Sequence, residues 1–291
     1  MVTQATAGGC ADELHGLAET LASLAGADGA DAATRRAYLR LRHARLSGAL
    51  EELRDADSAV SAALRRYPDW PDLCYLRASA DLDVHQPSAA LARLDAAPEL
   101  ARSPAGLELR GAALEQLGRY PQAQDCLTRA LADDPSWQAF ASLALVRTAL
   151  GDHEAADTLY ARAEDELTAK QMSAFAWVRA ARGDLAAASG DHEGAWAHLR
   201  VAAAAFAGYW LVESRVARLL SRQGRLDEAA AAYAAVRART GRPDLAGALA
   251  EVHRRRGDDE QAARWDAIAR AEYADSAARG EALYLHHHEA R

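Results

Sequence analysis

A glycine followed by Arg or Asp, with an alanine five positions after the glycine, recurs from residue 118 onward. The pairs are Gly118 with Ala123, Gly151 with Ala156, Gly190 with Ala195, Gly224 with Ala229, and Gly257 with Ala262. Successive glycines lie 33, 39, 34 and 33 residues apart, the long interval carrying a short insertion at residues 168–173. That period is one helical hairpin. A unit so short cannot bury its own apolar face, so copies must stack on one another.

Extending the register toward the N-terminus adds two weaker copies, in which Ala56 and Ala90 stand in the alanine column while Glu51 and His85 replace the turn glycine. A second small column then falls near the middle of each first helix, at Ala44, Ala78, Gly111, Ala144, Gly183, Ala217 and Ala250. A third follows seven residues after the first, at Ala63, Ala97, Ala130, Ala163, Ala202, Val236 and Ala269. With 75 alanines in 291 residues one such column means little, but three that stay small through seven copies imply facing backbones in close approach. Glycine suits the end of the first helix of each pair, where a positive φ is needed. Asp152, Glu154, Asp227, Glu228, Asp258 and Asp259 gather at the start of the second, the positive end of its dipole. Pro68, Pro135 and Pro243 sit between units.

Residues 106–135 resemble a tetratricopeptide repeat (TPR): Gly111, Leu114, Gly118, Tyr120, Ala123, Ala130 and Pro135 occupy that family's small, large, turn, aromatic, small, small and terminating positions. Leu107 and Leu127 replace its initial Trp and late aromatic. The resemblance implies an all-α, right-handed α-solenoid of about seven TPR-like hairpins over residues 37–276. Residues 1–36 are expected to form a flexible N-terminus with a capping helix and loop, carrying Leu14, Leu17, Leu21 and Leu24 on one face, and residues 277–291 a C-terminal capping helix.

The net charge of -8 speaks against general affinity for nucleic acid or anionic lipid. No run of about 20 apolar residues spans a membrane, and residues 1–9 lack the regions of a secretory signal, so a cytoplasmic protein is expected. Cys10, Cys74 and Cys126 have neither disulfide-framework nor zinc spacing. The His-Glu steps at His153 and His192 lack the second histidine of HExxH. No cofactor is expected.

In the TPR family the first helix of each unit lines the concave side. By position this implies a binding surface of Arg45, Tyr75, Glu108, Gln116, Trp177, Asp184, Arg218, Arg222, Glu251, Arg254 and Arg255. The family's carboxylate-gripping Lys and Asn positions carry other residues here, Leu41 with Arg45, Tyr75 with Ser79, and Glu108 with Ala112, so that specificity is not expected. Arg215, Arg218, Arg222, Arg225, Arg254, Arg255 and Arg256 make the last third locally basic, which suits either an acidic segment or pairing with nearby acids such as Asp258 and Asp259. Trp196, Trp210 and Trp265 read as filling between helices.

The expected function is a non-enzymatic scaffold that binds a protein or peptide, an acidic segment included, through its concave surface. The alternative is an enzyme or metal-binding protein on the same solenoid, using Asp184 or Glu251 with His253, or a weak metal group of His286, His288 and Glu289. Adjacent helical residues diverge by about 100°, so His286, His287 and His288 cannot converge on one ion.

Overall fold

A computed structural model describes residues 9–278; the histidine group at 286–289 and most of the expected C-terminal cap lie outside the described residues. Within them the chain forms helices and no strand. A leading helix α1 (Cys10–Ser23) precedes seven hairpins: α2 (Ala30–Ser47) with α3 (Leu50–Arg66), α4 (Pro71–Asp83) with α5 (Pro87–Ala96) and a short α6 (Pro98–Arg102), and α7 (Pro104–Gln116) with α8 (Tyr120–Asp133). The array continues with α9 (Trp137–Ala149) and α10 (His153–Asp165), α11 (Met172–Ala188) and α12 (His192–Ala205), α13 (Trp210–Arg222) and α14 (Leu226–Thr240), and α15 (Pro243–Arg255) and α16 (Asp259–Ala278). No described helix is long and apolar enough to cross a membrane.

Local chemistry sets the helix ends. Asp152 and Asp191 cap α10 and α12, their carboxylates accepting from the backbone of Ala155 at 3.3 Å and Gly194 at 2.8 Å. Pro71, Pro104 and Pro243 open first helices, where the missing N–H has no partner to lose. In the first hairpin the turn glycine is Gly48, three residues before the expected position, and it ends α2 at φ 66°. In the second, His85 takes the left-handed turn itself, at φ 56°; it is the non-glycine residue to do so among those described.

The small columns lie where helices meet. Ala44, Ala78, Ala144, Ala217 and Ala250 are fully buried, as are Ala56, Ala90, Ala123, Ala156, Ala195 and Ala229. Gly111 shows why size matters: a Cβ there would stand 2.5 Å from Leu127 Cγ, inside contact distance. In the third column, Ala63 and Ala97 remain only half-buried, which matches the weaker repeat signal of the first two units.

The superhelix also closes on itself. Helix α1 lies across later repeats: Cys10 N donates to Ala207 O at 2.9 Å, and Cys10, Leu17, Leu39 and Leu46 share one apolar cluster with Leu199, Phe206, Tyr209 and Val212. Trp210 completes the seam. Its indole Nε1 donates to Arg45 O at 3.0 Å, and the Arg242 guanidinium covers its ring 4.3 Å from the centroid. On the far side Tyr273 of α16 packs on the cluster around Leu41, Leu53 and Leu73. The inner face of the curved array therefore becomes the wall of a chamber.

Candidate functional site

The chamber has a volume of about 650 Å³ and is built from the inward positions of several first helices. Tyr38, Arg42 and Arg45 come from α2, Tyr75, Ser79 and Asp83 from α4, Glu108 from α7, Trp137 and Ser142 from α9, and Trp177 from α11. Tyr209, Trp210 and Arg242 enter from the closing side. A second space of about 340 Å³ adjoins it and shares Tyr38, Tyr75 and Leu76.

Arg45 lines the chamber with 41% of its side chain accessible. Its Nε donates to Asp83 at 2.7 Å and its Nη2 to Ser79 Oγ at 2.7 Å. Trp137 and Trp177 meet with ring centroids 6.3 Å apart at an interplanar angle of 59°. Glu108 is fixed by Ser136, whose hydroxyl donates to it at 2.9 Å while the same oxygen accepts from Ala139 N at the start of α9.

Of the residues expected to form the surface, the structure gathers Arg45, Tyr75, Glu108 and Trp177 on the chamber wall. The others are elsewhere. Gln116 braces α7 against α4, donating to Leu82 O at 3.3 Å. Asp184 is held by Arg215 at 3.1 Å and Arg218 at 2.5 Å. Arg222, Glu251, Arg254 and Arg255 are exposed on later repeats, Arg254 bridging Glu251 at 2.6 Å and Asp266 at 2.8 Å, and Arg255 donating to Ser221 Oγ at 2.9 Å. The basic tract is thus largely paired, although through Asp184, Asp227, Glu228, Glu251 and Asp266 rather than Asp258 and Asp259. Trp210 fills between helices as expected, packed on two apolar clusters, and also lines the chamber. Among the described residues no three His, Cys, Asp or Glu side chains group as metal ligands.

No protein-family model and no curated protein sequence matches this chain. Solved structures do. A chain of the APC/C heterotetramer Cut9-Hcn1 superposes with a TM-score of 0.67 over 86% of this chain at 13% identity. This chain spans about half of that one, covering 48% of it. A tetratricopeptide repeat protein from Parabacteroides merdae gives 0.59 over 84% of this chain and 95% of its own, at 16% identity. The fold is that of a TPR solenoid. Human IFIT1, solved as a dimer with PPP-AAAA, has the same architecture at a TM-score of 0.60 over 91% of this chain and 69% of its own, with 13% identity.

Within this TPR solenoid, two carboxyls of the chamber wall are held above their ordinary range: Asp83, raised by burial against the pull of Arg45, and Glu108. Burial, reinforced by the nearby Asp134 carboxylate and opposed by the Ser136 hydrogen bond, pushes the Glu108 carboxyl up to about 7 from an ordinary 4.5. The folded chain thus holds a proton that the unfolded chain releases between those values. The associated stability is complete below about pH 4.5 and is lost as pH rises through about 7. Glu108→Gln is therefore expected to equal wild type near pH 4.5 and to exceed it at pH 8 by on the order of 1–2 kcal/mol, after discounting for chamber water. Urea midpoints of both proteins at the two pH values measure this; a difference that ignores pH contradicts it.

Proposed function

We propose that this chain is a non-enzymatic binding protein whose inner chamber holds an extended peptide segment of a partner protein. The supporting observation is the chamber with its side groove, joined through Tyr38, Tyr75 and Leu76 and walled by aromatic rings and a few placed polar groups. Its volume is in the range of ligand pockets, and the adjoining groove suits a chain that continues outward rather than a compact molecule. Repeat scaffolds generally serve protein interaction, because a preformed surface takes up an extended partner without having to fold on binding.

An acidic segment is the less favoured occupant, because the exposed arginines of the later repeats already hold acids. The same holds for a phosphate-rich ligand: Arg42, Arg45 and Arg242 of the chamber are matched by Glu13, Asp83 and Asp244. The enzymatic alternative gains no support, since Asp184, Glu251 and His253 do not line the chamber.

Selection of a displayed random-peptide library on the full chain tests the reading. Selected peptides are expected to lose at least tenfold in affinity to Trp177→Ala and to Tyr75→Ala, with circular dichroism unchanged. Binding that survives both but is lost in Arg218→Glu plus Arg254→Glu would move the contact to the outer arginines and overturn the chamber reading.

A further inference from the structure

The charges of the chamber do not balance internally in the way its neighbours do. Arg45 has Asp83 at 2.7 Å, Arg242 has Asp244 at 3.1 Å, and Arg42 has Glu13, so each guanidinium of the wall holds an acid. Glu108 accepts from the neutral Ser136 hydroxyl and forms no ion pair with any described residue. The groups near it are Ser136, which caps α9, Tyr75 from α4 and Asp134, just past α8, with Trp137 on the same chamber wall, and the one charge among these has its own sign. Glu108 is therefore the acid of the wall that no cation of the described residues holds, and it shares that wall with aromatic rings. Arg215 lies over Trp177 at 5.7 Å, but no cation of the described chain lies over Trp137 or Tyr75. An acid beside open π-faces in a partly dehydrated space attracts an organic cation twice, through the carboxylate and through the ring quadrupoles.

We propose that the chamber receives a cationic side chain, lysine or arginine, of the bound segment, with Glu108 as counter-ion and Tyr75, Trp137 and Trp177 as its walls. This rests on the peptide reading for its source but not for its chemistry. Ser136 supplies the register: by capping α9 and bonding Glu108 together, it holds the carboxylate at the helix start from which Trp137 projects. A bound cation draws the Glu108 proton off, so affinity falls as pH drops below about 7.

The test uses the full chain and small probes, titrated by calorimetry and tryptophan fluorescence. n-Butylguanidinium is compared with its neutral isostere n-butylurea, and choline stands for a free quaternary ammonium. At pH 8 the guanidinium is expected to bind at least tenfold more tightly than the urea, with the preference shrinking at pH 6 and vanishing in Glu108→Gln. Trp137→Leu, which keeps the carboxylate, is expected to weaken the guanidinium and not the urea. Equal binding of both probes, or a preference that survives Glu108→Gln, overturns the cation site. Choline binding more tightly than the guanidinium overturns the basic side chain as occupant while supporting the site. Library peptides that bind the chamber without Lys or Arg overturn this inference and leave the peptide reading standing; a cation preference with no peptide selected does the reverse.

Discussion

Trp210→Ala is expected to unseal the chamber while leaving the repeats themselves folded. The indole makes two contacts across the seam and one on its own side. It donates to Arg45 O at 3.0 Å, it lies beneath Arg242 at 4.3 Å, and it fills the space above Gly48, where even a Cβ would come within 2.5 Å of it. Truncation removes the half-buried ring, the hydrogen bond and the cation–π contact together, a loss on the order of 2–4 kcal/mol. Because hairpins of a solenoid contact mainly their neighbours, that loss falls on closure rather than on helix content. Cys10 reports it directly. The thiol is buried under the seam, 3.5 Å from Leu46 O, and burial pushes it up to about 11 with help from the Glu13 carboxylate. In wild type it is expected to resist alkylation; in Trp210→Ala its rate, followed by peptide mass mapping, is expected to rise at least tenfold, with a longer maximum dimension in small-angle scattering. Unchanged Cys10 protection together with unchanged dimensions would show that the apolar cluster of α1 closes the array without Trp210.

The contrast between what the sequence showed and what it hid follows from the range of the interactions. The hairpin period and the alanine columns were readable because each repeat repeats the same local contact: Ala123 and Ala156 are buried for the reason Ala195 and Ala229 are. Arg45, Tyr75, Glu108 and Trp177 were found because family register marks the inward positions of first helices. Trp210 and Arg242 were missed as site residues because their role arises only when the curve closes, through a contact between residues 165 positions apart. Trp137 carried a signal that register alone did not use: Ser136 caps its helix and reaches back to Glu108 in the preceding unit. The arginine-rich tract was legible as charge but not as pairing, since Asp184 lies 34 residues before the Arg218 it holds. The turn at Gly48 comes early because α2 stops soon after Ala44 and α3 begins correspondingly early, at Leu50, and His85 shows that a turn position can survive loss of its glycine at the expense of backbone strain.

Asp81→Ala is expected to be among the most destabilising single changes in the chain, although Asp81 touches no part of the chamber. Helix α4 must present Tyr75, Ser79 and Asp83 inward, and its opposite side is held by a buried charge network. Arg77 Nε and Nη2 donate to Asp81 Oδ1 at 3.0 Å and 2.7 Å, and Arg93 of α5 donates to the other carboxylate oxygen. Arg77 also reaches α3, through Asp57 at 2.6 Å and Ser61 Oγ at 3.2 Å. The side chains of Arg77 and Asp81 are only 6% and 3% exposed, so water cannot replace the carboxylate once it is removed. Arg77, still buried, then keeps Asp57 as its one acid while Arg93, 42% exposed, loses its partner, which costs about 3–5 kcal/mol. Asp81→Asn should recover part of this, because its amide oxygen still accepts from an arginine while the charge is gone. Replacing the pair, as Arg77→Met with Asp81→Leu, should be milder than Asp81→Ala, since no buried charge is stranded. Chemical denaturation of the three variants decides the matter: if the double substitution is the worst of them, the network holds α4 through net attraction that apolar packing cannot replace, and the stranded-charge account fails.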